Sequence, residues 1–483
     1  MAKFNTKKTS ESIETVNYAG GQAYAKTAEV ELVSILLTSF VQDQFYRKST
    51  DTMKRVSELL DKVDPKFAAK AAIYARNTFG MRSITHVLAV EIAKYLSGKE
   101  WSKKFFEDII RRPDDMTEIV SYYFSKNKGK ALPNSLKKGF AKAFDKFDGY
   151  QLAKYKGDGN EVSLVDIVNL VHPKAIDKNK KALDGLINGT LKNTDTWEAK
   201  LSNAGKVAEN EEDKADLKAG AWKDLVETKK IGYLALIRNL RNIMTQSPDT
   251  IDKACEMLID EKLIKKSLIL PFQYVTAIEE INKIGGSGAR KIVSALEDAI
   301  EISCSNVPKM PGNTCVIYDR SGSMRGQPTK IGGLFAAVLA KANNADVILF
   351  GETAHYVNFN LKDSIFTINE KFNKVDLGGT KYSKFFELMN KEKKKYDRLI
   401  ILSDGEAWGQ YESSQSYYNE YKKNNNVNPY LYNFDLAAHP TVQFKGNRVI
   451  ALAGFSEKIF DLMQLAEQDV NVLTNTIKNS VEL

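Results

Sequence analysis

Cysteine is scarce in this 483-residue sequence, which holds only Cys255, Cys304 and Cys315. An odd count without paired metal-type spacing excludes a disulfide framework and a thiolate cluster, and it suits a reducing compartment. No run of about 18 uninterrupted apolar residues occurs, so a membrane-spanning helix is not expected. The opening residues, MAKFNTKKTSESIETVNYAG, lack the apolar centre of a secretory signal. The expected location is the cytoplasm. Composition is otherwise that of a globular protein, 43% hydrophobic and 27% charged. At 54.2 kDa, two or three domains are expected. The net charge of +9 is uneven. From Pro308 onward 21 Lys and Arg face 19 Asp and Glu, so seven of the nine surplus positive charges lie earlier. Such an excess suits an anionic partner without demanding one.

The chain reads as an α plus α/β multidomain protein. After an N-terminal extension (1–24), residues 25–305 read as helix after helix. The segments 28–45, 65–79, 83–96, 134–147, 164–171 and 231–244 carry apolar residues at three- and four-residue spacing. Asp64-Pro65 marks a start; Ser97-Gly98 and Gln246-Ser247-Pro248 mark stops. Units of about 30–45 residues, each a helix pair, suggest an α-solenoid without a strict sequence repeat. The stretch SNVPKMPGN (305–313) interrupts this pattern and sets the domain boundary. Over 306–483, short apolar runs at 315–318, 346–350, 398–402, 429–434 and 447–453 alternate with helical patterns at 331–342, 383–391, 413–423 and 456–467. That alternation predicts a doubly wound, Rossmann-like parallel sheet covered on both faces.

Ligand sites of such sheets gather at the carboxyl ends of the strands. Asp319, Ser321 and Ser323 follow the first strand; Asp404 follows the run 398–402; Thr380 ends a Gly-Gly-Thr loop. Alternate residues 319, 321 and 323 in a tight turn can point oxygens at one spot. One or two carboxylates with neutral hydroxyls and waters suit octahedral Mg2+ or Mn2+. The bland alternative is a Ser-Gly-Ser helix-capping turn with Asp404 as a strand-end cap. The spacing resembles the metal-ion-dependent adhesion site of von Willebrand A domains, which would make Asp319, Ser321, Ser323, Thr380 and Asp404 its ligands. Few charged ligands leave the metal open to an acidic group, so the expected chemistry is docking. Hydrolysis needs a base or nucleophile beside the metal, and a phosphatase of the haloacid-dehalogenase type would need Asp where Ser321 stands. His355 and His439 end strand regions without a spacing that ties them to the metal.

In the helical half, nine lysines fall between Ser125 and Lys156 against Asp145 and Asp148. Lys138, Lys142 and Lys146 stand at i, i+4 and i+8, a stripe about 12 Å long if the helix is continuous. Lys137 precedes it, and Leu136, Phe140, Phe144 and Phe147 form the opposite face. Like charges at that spacing repel, and a polyanion would relieve them while releasing counterions. A solvated lysine face is the plain alternative, and the aromatics read as core.

Several segments resemble the TROVE module of the Ro autoantigen family: IYARN (73–77), RRPDD (111–115), LPNSLKKGFAKAFDKFDGYQLAKYK (132–156), LVDIVNLVHPK (164–174), DTWEAKLSNAG (195–205), GYLALIRNLRNI (232–243) and SLILPFQYVTAI (267–278). They fall in the family's order over roughly 20–300, and the family places a von Willebrand A domain next. The resemblance implies a ring of HEAT-like helical repeats closed by the metal-bearing domain. It implies binding of small noncoding Y RNAs on the outer basic surface and of single-stranded 3′ ends of misfolded RNA in the central hole. It also implies a role in RNA processing or quality control with an exoribonuclease such as polynucleotide phosphorylase. Carried over residue by residue, RNA contacts map to the lysine-rich helix, to Gln151 and Lys154, and to His172, which by itself reads equally as a helix cap or core group. Two departures stand out: Lys381 follows Thr380 where the family usually has Asp, and the N-terminus is short.

The expectation is a monomeric, non-enzymatic RNA-binding scaffold with Mg2+ or Mn2+ at the adhesion-type site. The alternative is a protein-docking module in which the metal captures a partner's carboxylate. A metal-dependent hydrolase or nuclease is the remaining reading.

Overall fold

The computed structural model describes residues 14–39, 48–157, 159–192, 201, 210–267, 269, 271–305, 307–408 and 413–483. They form two compact units. One gathers the described residues up to Thr52 with Val307–Gly454 and Ile459–Asn475; the other gathers those between Met53 and 305 with Phe455–Lys458 and Thr476–Leu483.

In the first unit, six strands form one sheet: β3 (Thr314–Asp319), β4 (Asp346–Phe350), β5 (Ala354–Tyr356), β6 (Arg398–Ser403), β7 (Tyr430–Asp435) and β9 (Val449–Ala453). Their order is β5-β4-β3-β6-β7-β9. All pairs are parallel except the antiparallel edge β4–β5. Helices cover both faces, as the near-continuous apolar runs require. On one face Cys315, Ile317, Ile348, Leu399 and Ile401 pack against Phe385, Phe386 and Tyr421 of the helices Ser383–Lys391 and Ser414–Asn425. On the other, Phe335 of the helix Gln327–Asn343 meets Phe434 and Phe460 edge to face or tilted. The strand expected at 398–402 occurs as Arg398–Ser403, and those expected at 346–350 and 429–434 occur with little change.

Residues 14–38 gather with the sheet-bearing unit. A hairpin of β1 (Glu14–Val16) and β2 (Gln22–Ala25) pairs through Tyr24 and Ala25 with β8 (Thr441–Val442), and these three strands form a second sheet. The helix Ala28–Thr38 follows, and its unit is the one holding the six-stranded sheet. Strands this short have little pattern of their own, and the strand that β2 pairs with on its other side lies more than 400 residues away.

The second unit is helical among its described residues. Pro65–Asn77, Ser83–Glu91, Leu164–Val171 and Tyr233–Gln246 fall on expected segments, and Pro113–Lys126 is a further helix between them. Asp64 caps the first, accepting from the Phe67 amide at 2.9 Å. The tails at 40–45 and most of 195–205 lie outside the described residues. No helix among the described residues is long and apolar enough to cross a membrane.

One buried carboxylate organises the first helices. Asp115 accepts from Arg76 at 2.8 Å, from Arg82 at 3.0 Å, and from the Arg111 and Arg112 amides at 2.9 Å; His86 Nε2 stands 3.1 Å away. Burial alone would raise its pKa, but hydrogen bonding from His86 and the charge of Arg76 hold it well below the carboxylate range. The segments around IYARN and RRPDD therefore meet in one ion network. A depressed carboxylate stabilises the fold above its unfolded pKa of about 4, and that stabilisation fades as pH falls through the folded value. Asp115→Asn, which strands buried cations, should cost about 3–5 kcal/mol in denaturant melts near neutral pH. An unchanged midpoint would mean that the network contributes nothing.

Candidate functional site

The proposed metal ligands lie at the carboxyl ends of β3 and β6 and on the loop between them. Asp319 ends β3 with no exposed surface, and Asp404 directly follows β6. Asp319 accepts from the Ser321 amide at 2.8 Å and from Ser403 Oγ at 2.6 Å. Ser321 and Ser323 hydroxyls stand 3.2 Å apart. Backbone bonds knit the first two loops: the Gly322 amide donates to Gly378 O at 2.8 Å, Leu377 to Arg320 O at 2.9 Å, and Arg320 to Phe350 O at 2.8 Å. Thr380, buried, belongs to the same loop, and its carbonyl accepts from the Trp408 amide at 2.9 Å. All five residues thus lie on loops joined to one another.

The electrostatics favour a cation. Burial, then the charge of Asp404, raises the Asp319 pKa; burial is also the main cause of the rise at Asp404, against the pull of His439 and a Ser323 hydrogen bond. Asp404 Oδ1 accepts from the Glu406 amide at 3.1 Å, while buried Oδ2 has no hydrogen-bond partner. Among the described residues no group of three His, Cys, Asp or Glu side chains is placed to hold a metal. The donor set is mixed instead, two carboxylates with hydroxyls, which fits a hard divalent cation that keeps waters. When bound, such a cation would supply positive charge and an open position for an anionic oxygen.

Spacing gave no sign of several supporting residues. Ser403 bridges Asp319 and the hydroxyl of Tyr382, which donates to it at 2.9 Å. Arg320 is locked by the carbonyls of Val375 and Asn373, both at 2.9 Å. His439 Nδ1 lies 2.8 Å from Glu406 Oε1 and 3.0 Å from Asp404 O, so it supports the third loop. His355 sits apart, in the edge strand β5. The N-terminal hairpin grips the same loop: Asn17 donates to Ala407 O at 2.7 Å, and the Ala19 amide donates to Glu406 at 3.2 Å. A Cβ on Gly21 would collide with Ala407 O, so only glycine allows this approach. Lys26 ion-pairs with buried Asp435 and fixes the end of the hairpin.

In the helical unit, the helix Asn134–Ala143 packs tightly on Ser102–Asp108. A Cβ on Gly139 would fall 2.5 Å from Phe106 Cβ, and Phe106 meets Phe140 edge to face. The outer face leaves Lys138 and Lys142 exposed and Lys137 half-buried. The lysine stripe is not continuous, because the α-helix ends at Ala143 and a single 3-10 turn (Phe144–Lys146) follows. Lys142 pairs with Asp145 at 2.7 Å. Lys146 donates to Glu107 O at 2.5 Å and Ile110 O at 3.2 Å, and its burial lowers its pKa. It caps the end of a neighbouring helix. Gln151 closes a capping box with Asp148, and Lys154 lies 5.5 Å from the Tyr155 ring centre. His172 is exposed and takes a left-handed backbone at the end of Leu164–Val171.

The fold and loops define a von Willebrand A-type domain in one unit, the other being helical among its described residues. The sequence matches the TROVE domain model over residues 33–216 and 190–296, and the Ro60 vWA domain model over 316–465. The chain belongs to the TROVE/Ro family, whose members are in general RNA-binding. It is 19% identical over 345 residues to telomerase protein component 1 of Mus musculus and likewise to that of Rattus norvegicus, matching 53% of this chain. The chain spans only 13% of those relatives' length. Its fold is similar to the crystal structure of the Deinococcus radiodurans RO (RSR) protein, with a TM-score of 0.57 and 18% identity over 94% of this chain and 100% of that one.

If a cation neutralises Asp319 and Asp404, Mg2+ at a hundredfold above its Kd should stabilise the fold by about 2.7 kcal/mol. Asp319→Asn should lose that increment yet melt no lower than the wild type without metal, since it removes a buried charge. Equal Mg2+ increments in both proteins would place the cation elsewhere.

Proposed function

We propose that this protein is a non-enzymatic scaffold that binds small structured noncoding RNA and the single-stranded 3′ ends of misfolded RNA, in RNA quality control or processing. Family membership supports the RNA partner, as does the name of the telomerase relatives, components of another assembly. The observation that carries the reading to particular residues is the outward face of Asn134–Ala143. Its inner face is fixed by Gly139 and Phe140, while Lys138 and Lys142 project from a rigid support. Preorganised cations lose little on meeting phosphate. Gln151, Lys154 and His172 belong to the proposed surface; Lys146 enters it through its field while its donors hold carbonyls.

A scaffold of this kind would deliver RNA to a separate exoribonuclease, with polynucleotide phosphorylase the partner that the family resemblance suggests. Cys255, Cys304 and Cys315 are all free thiols, which suits the cytoplasm. The unpartnered Asp404 Oδ2 favours a second role, with Mg2+ or Mn2+ capturing an acidic group of a protein partner. A pull-down with and without chelator reads that role directly. Hydrolysis has less support, because His439 is engaged with Glu406 and the Asp404 carbonyl.

Lys138→Glu with Lys142→Glu should weaken binding of a structured RNA bearing a single-stranded end by at least tenfold. The slope of log K against log salt should fall by about 1.5–2. Asp319→Ala should leave RNA affinity within about twofold. RNA affinity that survives both reversals and high salt would sink this surface.

A further inference from the structure

At the opposite ends of the strands from the metal loops, the sheet-bearing unit holds a second concentration of cations. Lys422 comes from the last turn of Ser414–Asn425, and Lys445 and Arg448 from the turn leading into β9; with Asn428, Asn447 and Tyr418 they line a cavity of about 330 Å³. Among the described residues no Asp or Glu lines it. Each cation rests on an aromatic face: Lys422 lies 4.5 Å from the Tyr418 ring centre, Arg448 4.4 Å from Tyr430, and Lys445 4.3 Å from Tyr24. The nearest carboxylate to any of them in an ion pair is exposed Glu14, 3.9 Å from Lys445.

A lysine near a helix C-terminus is ordinarily explained by the helix dipole, or by a solvated face. Neither accounts for three cations from two separate elements converging on a concavity that no acid lines among the described residues. Cation–π contacts place the charges but use none of their N–H donors. Arg448 is further fixed by its bond to Asn428 O at 2.6 Å, and Tyr418 by its bond to Pro429 O at 2.9 Å. Burial lowers the Lys422 pKa with no carboxylate to offset it. An entering anion would supply that missing charge.

We propose that this cavity is a phosphate-binding site of the von Willebrand A unit, separate from its metal loops, with Lys422, Lys445 and Arg448 as the anion's partners. The phosphate is carried by an RNA strand or by a mononucleotide, and the RNA source rests on the scaffold reading above.

The test compares the full chain with a Lys422→Gln, Lys445→Gln, Arg448→Gln variant. The side chains of Lys445 and Arg448 are exposed and that of Lys422 is partly so, and matching thermal melts would confirm folding. Adenosine monophosphate is titrated by calorimetry, and a labelled single-stranded RNA oligonucleotide by anisotropy. At least one probe should bind the wild type and bind the triple variant roughly tenfold more weakly or worse. Arg448→Lys, which keeps the charge but not the planar fork, should lose less. Nucleotide binding that depends on these residues, in a chain that binds no RNA, would uphold the site and sink only the scaffold reading. If neither probe binds at millimolar concentration, or the triple variant binds both as the wild type does, the site is overturned. RNA binding lost in the Lys138/Lys142 variant but untouched in the triple variant, with no nucleotide bound, also overturns it and leaves the scaffold reading standing.

Discussion

A buried carboxylate must find positive charge or enough donors, and how each one here does so sorts structure from site. Asp115 is answered from within the chain by Arg76, Arg82, His86 and two backbone amides, and its pKa falls. Asp319 and Asp404 are answered mainly by hydroxyls and amides, and their pKa values rise. β3 imposes this imbalance: it is buried along its whole length, so its last residue ends in a dry place. The first carboxylate is complete as folded, whereas the second pair leaves a role for an added cation.

That demand explains how much of the surrounding structure serves the three loops. Backbone bonds join the first loop to the second, Trp408 joins the third to Thr380, and Ser403 links the strand end to Tyr382. The hairpin then clamps the third loop from outside through Asn17 and Ala19. A site whose proposed ligands come from segments 24–85 residues apart needs such ties, because small misplacements cost affinity steeply.

Much of this was legible in the sequence, for physical reasons. Fully buried parallel strands read as apolar runs, and tight Gly-Ser turns at their ends mark where oxygens can converge, so β3, β6, β7 and the five proposed ligands could be placed by number. Local capping was legible too, as at Asp64. What escaped was long-range. The second partner of Gln22–Ala25, Thr441–Val442, lies across the whole chain, and no local period encodes it. His439 reached the Asp404 loop through tertiary packing, which spacing does not report. The lysine-rich helix was legible as helix, but its early end at Ala143 turned Lys146 from a surface cation into a cap.

Lys146 also shows why counting charges locates function poorly. Seven of the nine surplus positive charges lie before Pro308, which points to the helical half. Yet there Lys142 is matched by Asp145, Lys146 by carbonyls, and Arg82 by Asp114, Asp115 and Glu118. The other half, almost balanced in sum, holds three cations around one cavity that no acid lines among the described residues. A near-zero total can arise from pairing or from separation, and only separation leaves a field that an anion can use. The measure of a binding surface is therefore the charge left without a counter-charge in one place. By that measure the sheet-bearing unit, whose composition reads as neutral, has as strong a claim on a phosphate as the basic helices do.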